Sequence, residues 1–193
     1  MAGKVIVNFK KTILLFLAVA FLSGCATSDV YRDSTMDFGS VQTVAVMPFA
    51  NFSREQTSPE RVRDVFITML LSTGSIYVIP PGEVAKGIAT IGVLNPTAPT
   101  GEEVIKFCNA VKANAVITGV VKEYGELRTG TSSANVISLS LQMIEGQTGR
   151  IVWSASSTKG GIGMKDRLLG GGGEPMNTVT VKAVNDLLDK LFK

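Results

Sequence analysis

Four stretches of this 193-residue chain have the residue types and spacing of catalytic or phosphate-binding motifs. Ser156-Ser157-Thr158-Lys159 spells S-x-x-K, the spacing that puts a serine nucleophile and a lysine on one face of a helix. Here it falls at the end of a strand-like segment, where positions three apart point to opposite faces. The companion S-D-N and K-T-G motifs are also missing. Glu102-Glu103, and Glu123 with Glu126, are paired carboxylates of the kind used in acid–base work. A helix cap accounts for the first pair and a solvated strand end for the second. Gly170 to Gly173 precedes a helix, as a phosphate-cradling loop does. It follows no strand directly, however, and G-x-x-x-x-G-K-[ST] does not occur, so it reads as a loop. The absence of histidine removes Ser–His and Cys–His pairs and imidazole metal sites together. No catalytic residue, metal site or cofactor site is assigned, and the chain is read as a non-enzyme.

Two thiols remain. Cys108 lies among Val104, Ile105, Phe107 and Val111 in a helical pattern and reads as a small buried hydrophobe. Cys25 is a reactive position of another kind. Lys4, Lys10 and Lys11 precede an apolar run from Thr12 to Phe21, and Leu22-Ser23-Gly24-Cys25 follows, a secretory leader with a small-residue cleavage site. The run is shorter than the roughly 20 residues that a spanning helix needs. This ending resembles the lipobox of bacterial lipoproteins. The resemblance implies cleavage between Gly24 and Cys25, a diacylglyceryl group on the Cys25 thiol and an acylated new amino terminus. Each buried CH₂ contributes about 0.8 kcal/mol, so three chains hold where one would not. Ala26, rather than aspartate, after the cysteine implies the outer membrane, with the domain facing the periplasm.

Composition narrows the remaining choices. The formal charge of +3 comes from the three leader lysines; without them 16 basic residues balance 16 acidic ones. No clustered basic run survives, which argues against nucleic-acid binding. Removing 24 residues leaves 169, enough for one domain with its own core and no disulfide or metal.

The elements that must carry any site follow from periodicity. Ala26 to Gly39 is polar and without period, and residues 25–40 read as a flexible tether. Val41 to Phe49 is a buried first strand stopped by Pro48. Ser58-Pro59-Glu60 caps a helix to about Ser72. Ile76 to Ile79 is a short strand, and Glu83 to Ile91 a weak helix interrupted by Gly87. Thr100 with Glu103 forms a capping box for a helix through Val111. Ala115 to Tyr124 is a central strand. Val136 to Ile144 alternates, predicting one covered and one wet face. Arg150 to Thr158 returns as its hairpin partner, with the facing of Trp153 open. Val179 to Phe192 is an amphipathic helix with Val181, Val184, Leu187, Leu188 and Leu191 inward. The order β-α-β-α-α-β-β-β-α predicts a single α/β (α+β mixed) domain over residues 41–193, a mixed sheet of four to five strands packed on helices.

With no catalytic group, the candidates are contact surfaces. Phe52 and Arg54 follow the first strand at the carboxyl end of the sheet, where α/β domains tend to bind. Arg128 to Ser133 reads as a hairpin loop, offering Arg128. Ile162, Met164 and Leu169 punctuate the glycine-rich segment 160–173 and could order on a partner.

The phrases VAVMPFANFS, IYVIP, ANAVITGVVKEYG and LQMIEGQTGRIVWS together resemble the lipoproteins related to CsgG and LpoB, whose domain is similar to the amino-terminal domain of TolB. The likeness covers Val41 to the end. It implies an accessory or adaptor lipoprotein in cell-envelope assembly or secretion, partnered by the membrane through Cys25 and by an envelope protein. No hairpin insertions of the length a membrane barrel needs are present, which argues against an autonomous pore. An activator of a peptidoglycan synthase is the alternative, and an enzyme of a new kind the third. Neither the partner nor the oligomeric state follows from the sequence.

Overall fold

The computed structural model describes residues 30–129, 132–161 and 173–193. Seven strands form one mixed sheet: β1 (Val30–Arg32), β2 (Thr43–Val46), β3 (Ala50–Asn51), β4 (Tyr77–Val78), β5 (Ala115–Thr129), β6 (Ser132–Glu145) and β7 (Ile151–Gly160). Among the described residues four α-helices pack on it: α1 (Ser58–Ser72), α2 (Pro81–Ile91), α3 (Gly101–Val111) and α4 (Met176–Phe192). The strand order is β1-β7-β6-β5-β2-β4, with β3 beside β5. β2 pairs parallel with β4 and β5, as helical crossovers require, while β5, β6, β7 and β1 run antiparallel. The mixed α/β class is as expected.

The strand count exceeds the four to five expected because two short segments add to the sheet. Pro48 has no N–H to give the ladder, so the first long strand splits. β2 pairs at Ala115–Ile117, Met47 still donates to the Ile117 carbonyl at 2.9 Å, and β3 resumes at Val120 and Val121. The other addition is β1, in a segment read as tether. It pairs with β7 at Ala155, Ser154 and Trp153. Arg32 stacks over the Phe38 ring at 3.9 Å and donates to the Leu191 carbonyl at 2.8 Å. The Asp33 carboxylate, buried, meets Arg150 at 3.2 Å and accepts from Thr35. Residues 30–40 are thus part of the domain.

One face of the sheet is covered from end to end. Val62, Phe66 and Leu70 of α1 and Val179, Ala183, Val184, Leu187 and Leu191 of α4 bury against Val44, Val46, Ile117, Leu139, Leu141, Met143 and Trp153. Trp153 therefore joins the core, its indole N–H donating to the Lys190 carbonyl at 3.2 Å. Val181, expected inward, is exposed; the buried stripe runs through Val179, Ala183, Val184, Leu187 and Leu191, and Val181 lies about 200° around the helix from Val179. The other face is covered only over β2 and the start of β5, where Val84, Val104, Phe107 and Cys108 of α2 and α3 meet Ala45, Met47, Val116 and Ile144. Beyond it, among the described residues, no helix packs over Ser138, Ser140 and Gln142, which are half-buried while Leu139 and Leu141 between them are buried, as the alternation predicts.

Other boundaries differ for local reasons. The capping box forms as expected, Glu103 reaching back to the Thr100 backbone and hydroxyl. Ser58 is not the cap of α1; it is the buried first helical residue, and Thr57 holds the cap position. Gly87 does not interrupt α2 but lets it approach α3, since a Cβ there would lie 2.6 Å from Val111 Cγ1 and 2.8 Å from Phe107. Arg128 and Ser133, expected in a loop, are paired strand residues of a long β5–β6 arm.

Candidate functional site

The loop between β3 and α1 is held by one side chain. Asn51 Oδ1 accepts from Ser53 N at 2.9 Å, Ser53 Oγ at 2.8 Å and Ser58 Oγ at 3.3 Å, and its amide donates to the Glu55 carbonyl at 3.0 Å. Such side-chain bonds to nearby backbone are what Asn and Ser contribute in turns. They account for Asn51-Phe52-Ser53 as a turn. With Phe52 N bonded to the Val121 carbonyl at 2.8 Å, the backbone on both sides of Phe52 is fixed and its ring is held out, 77% exposed. The ring therefore contributes little to the core, and aromatics are among the residues that interfaces use as anchors.

Phe52, Arg54 and Glu55 form one wall of a cleft of about 630 Å³ whose other wall is β5 from Lys122 to Leu127, with Val136 of β6 beside it. Two register features shape that wall. A bulge between Val121 and Glu123 turns Lys122 out of the ladder, and Gly125, at φ 151°, lies two residues before the exposed Leu127. The lining mixes Phe52, Tyr124 and Leu127 with two cations, Arg54 and Lys122, and three carboxylates, Glu55, Glu123 and Glu126. Phe52, Tyr124 and Arg54 are of the types that protein contact surfaces concentrate, and the lysine and glutamates are of the types that their cores deplete.

Its carboxylates are poorly placed for proton transfer. Hydrogen bonds from Ser133 and Arg128 hold Glu126 below the usual carboxylate range, and Thr57 does the same for Glu55. A general acid needs the opposite shift. The S-x-x-K pair diverges as strand geometry requires: Ser156 lies opposite Ser140 and Lys159 opposite Ile137, on the two faces of the sheet. Lys159 is engaged with Asp186 at 3.0 Å. Burial pushes the Cys108 thiol up to about 12, which suits a packing residue and not a nucleophile. Among the described residues no three His, Cys, Asp or Glu side chains gather as a metal site, and no helix is long and apolar enough to cross a membrane.

Phe52 and Arg54 thus meet in one cleft. Arg128 does not line it but braces its rim through Glu126, at 2.7 Å. Gly24, Cys25, Ile162, Met164 and Leu169 lie outside the described residues. Tyr124, Leu127 and Lys122 escape the sequence reading because a strand assignment does not reveal which residues a bulge turns outward.

No family model matches the sequence, and no curated protein does. Solved structures do. A single-substitution variant of the PelC dodecamer from Paraburkholderia phytofirmans aligns at TM-score 0.57 and 18% identity, over 84% of this chain and 97% of that one. Lipoprotein GNA1162 from Neisseria meningitidis aligns at 0.54 and 20%, over 77% and 99%. The LpoB C-terminal domain from Salmonella enterica follows at 0.49 and 17%, over 65% and 86%. CsgG gains no support from these neighbours. At such identities the likeness is one of fold, and in that respect this domain is built like those of PelC and GNA1162.

Proposed function

We propose that this chain is an accessory lipoprotein of the cell envelope, anchored by acyl chains on Cys25 in the outer membrane and facing the periplasm, and that it works by docking a protein rather than by catalysis. The observation that carries the docking role is the Asn51-held loop, which spends four hydrogen bonds to keep Phe52 in solvent beside a charged cleft. Support for the anchor comes from the Leu22-Ser23-Gly24-Cys25 ending and from a fold shared with a structure described as a lipoprotein. β1 starts five residues after Cys25, a reach of at most about 18 Å, so the domain sits against its bilayer.

The test has two readouts. Cys25→Ser is expected to block leader processing and move the protein out of the outer-membrane fraction; unchanged fractionation refutes the anchor. A photocrosslinker at Phe52 in intact cells is expected to capture an envelope protein that a crosslinker at exposed Leu94 does not. Equal capture at both positions refutes the docking role of the cleft.

A further inference from the structure

We propose that the concavity where β7 runs past β1 and meets α4 binds a phosphate-bearing anion, and that its source is the headgroup of an anionic phospholipid; the choice of source rests on the anchoring at Cys25 proposed above. The concavity, of about 380 Å³, wraps the edge of β7 that β1 leaves free: Ser138 and Thr158 line it from the open face of the sheet, Lys159, Lys190 and Asp186, the one carboxylate in its wall, from the face that α4 covers, and Lys122 from β5. Three ammonium groups against one carboxylate leave it formally +2.

Its hydrogen-bonding capacity is just as one-sided. Each ammonium has three donors and no acceptor. Lys190 spends one on the Ser156 carbonyl at 2.7 Å and one on Asp186 at 2.9 Å, and Lys159 spends one on Asp186 at 3.0 Å. Lys122 makes no hydrogen bond or ion pair among the described residues, so six ammonium N–H groups remain unspent there. The Ser157 hydroxyl, buried on the α4 face, is turned to the Asp186 carboxylate and is not among the donors left over. Ser138 and Thr158 share a single hydrogen bond at 3.0 Å, leaving one hydroxyl proton of the pair to give. A surplus of donors around a concavity is relieved by a group that only accepts. Phosphate oxygens are such acceptors, and lysine binds them as a point charge.

The direction of β1 selects the source. Val30 lies opposite Ala155 and Arg32 opposite Trp153, so the chain enters the sheet from the side where β7 continues through Ser156 to Gly160. That is the stretch of β7 that walls the concavity. A lipid anchor at Cys25, at most about 18 Å ahead of Val30, brings these lysines to headgroup level.

The experiment uses the full chain, purified from membranes in a neutral detergent and followed by amide NMR shifts. Inorganic phosphate is expected to shift Lys122, Ser138 and Ser157 to Lys159 together. Lys122→Gln breaks no hydrogen bond among the described residues, so it leaves melting unchanged and weakens phosphate about fivefold. Absence of the shifts, or unaltered affinity in Lys122→Gln, overturns the site. In a second arm, phosphatidylglycerol bicelles are expected to shift the same amides and phosphatidylcholine bicelles are not. A response to inorganic phosphate without one to phosphatidylglycerol overturns the lipid source and makes free phosphate the ligand. Failure of the anchor shows in the Cys25→Ser fractionation and leaves the phosphate titration untouched.

Discussion

Asp186→Asn removes the charge that joins α4 to β7. The carboxylate lies between Lys159 of β7 and Lys190 of α4, at 3.0 and 2.9 Å. Burial works against its ionisation, but contacts from Lys190, Ser157 and Lys159 outweigh burial and lower its pKa from 3.8 to about 2. At 1.36 kcal/mol per tenfold, ionised Asp186 stabilises the fold by about 2 kcal/mol, and by about 1 once screening at its 28% exposed side chain is counted. Because the folded-state pKa is the lower one, this stabilisation is complete above pH 3.8 and is lost as the pH falls toward about 2. Asp186→Asn is therefore expected to lose about 1–2 kcal/mol at neutral pH and to converge with the unaltered chain at the acid end. Urea unfolding followed by fluorescence reads this directly, since Trp153 is the one tryptophan, fully buried, and bonded to the Lys190 carbonyl. A penalty that stays constant between neutral pH and the acid end would refute a charge-based seam.

Phe52→Ala, at a ring mostly in solvent, is expected to leave the melting temperature within about 1 °C while weakening capture of the partner tenfold or more, measured by crosslinking yield. Gly87→Ala gains helix propensity of about 1 kcal/mol but drives a methyl into Val111 and Phe107, and overpacking of that kind costs about 1–3 kcal/mol; a net loss is expected in denaturant unfolding. Cys108 is expected to resist a thiol-reactive dye in the folded protein at neutral pH and to react at once in denaturant, because burial holds its thiol up at about 12. Rapid labelling of the folded chain would show that α3 opens locally.

What could be read from the sequence was what burial writes into it. β6 alternates because one face meets α4 and the other meets water, and Thr100 with Glu103 announces α3 through a purely local bond pair. β1 left no such trace: one half-buried and two exposed residues pair with an edge that only the tertiary structure supplies. The β5–β6 arm was foreshortened because Thr129, Ser132 and Ser133 carry no apolar alternation, so Arg128 looked like loop. That Phe52 and Arg54 share a cleft with β5 is a tertiary fact, but their placement just after a strand was legible. The lysine concavity was not, because Lys122, Lys159 and Lys190 are far apart in sequence and a bulge sets one of them.

The entry of the chain through β1 decides how the molecule bears load. Tension applied ahead of Val30 runs along a strand laid antiparallel to β7, so the β1–β7 ladder, the Asp33–Arg150 pair and the Arg32 bond to α4 are strained together instead of peeling one after another. The domain would resist a pull along β1 by shear across its sheet, and the first thing to yield would be that short edge, with the Trp153 core behind it left standing.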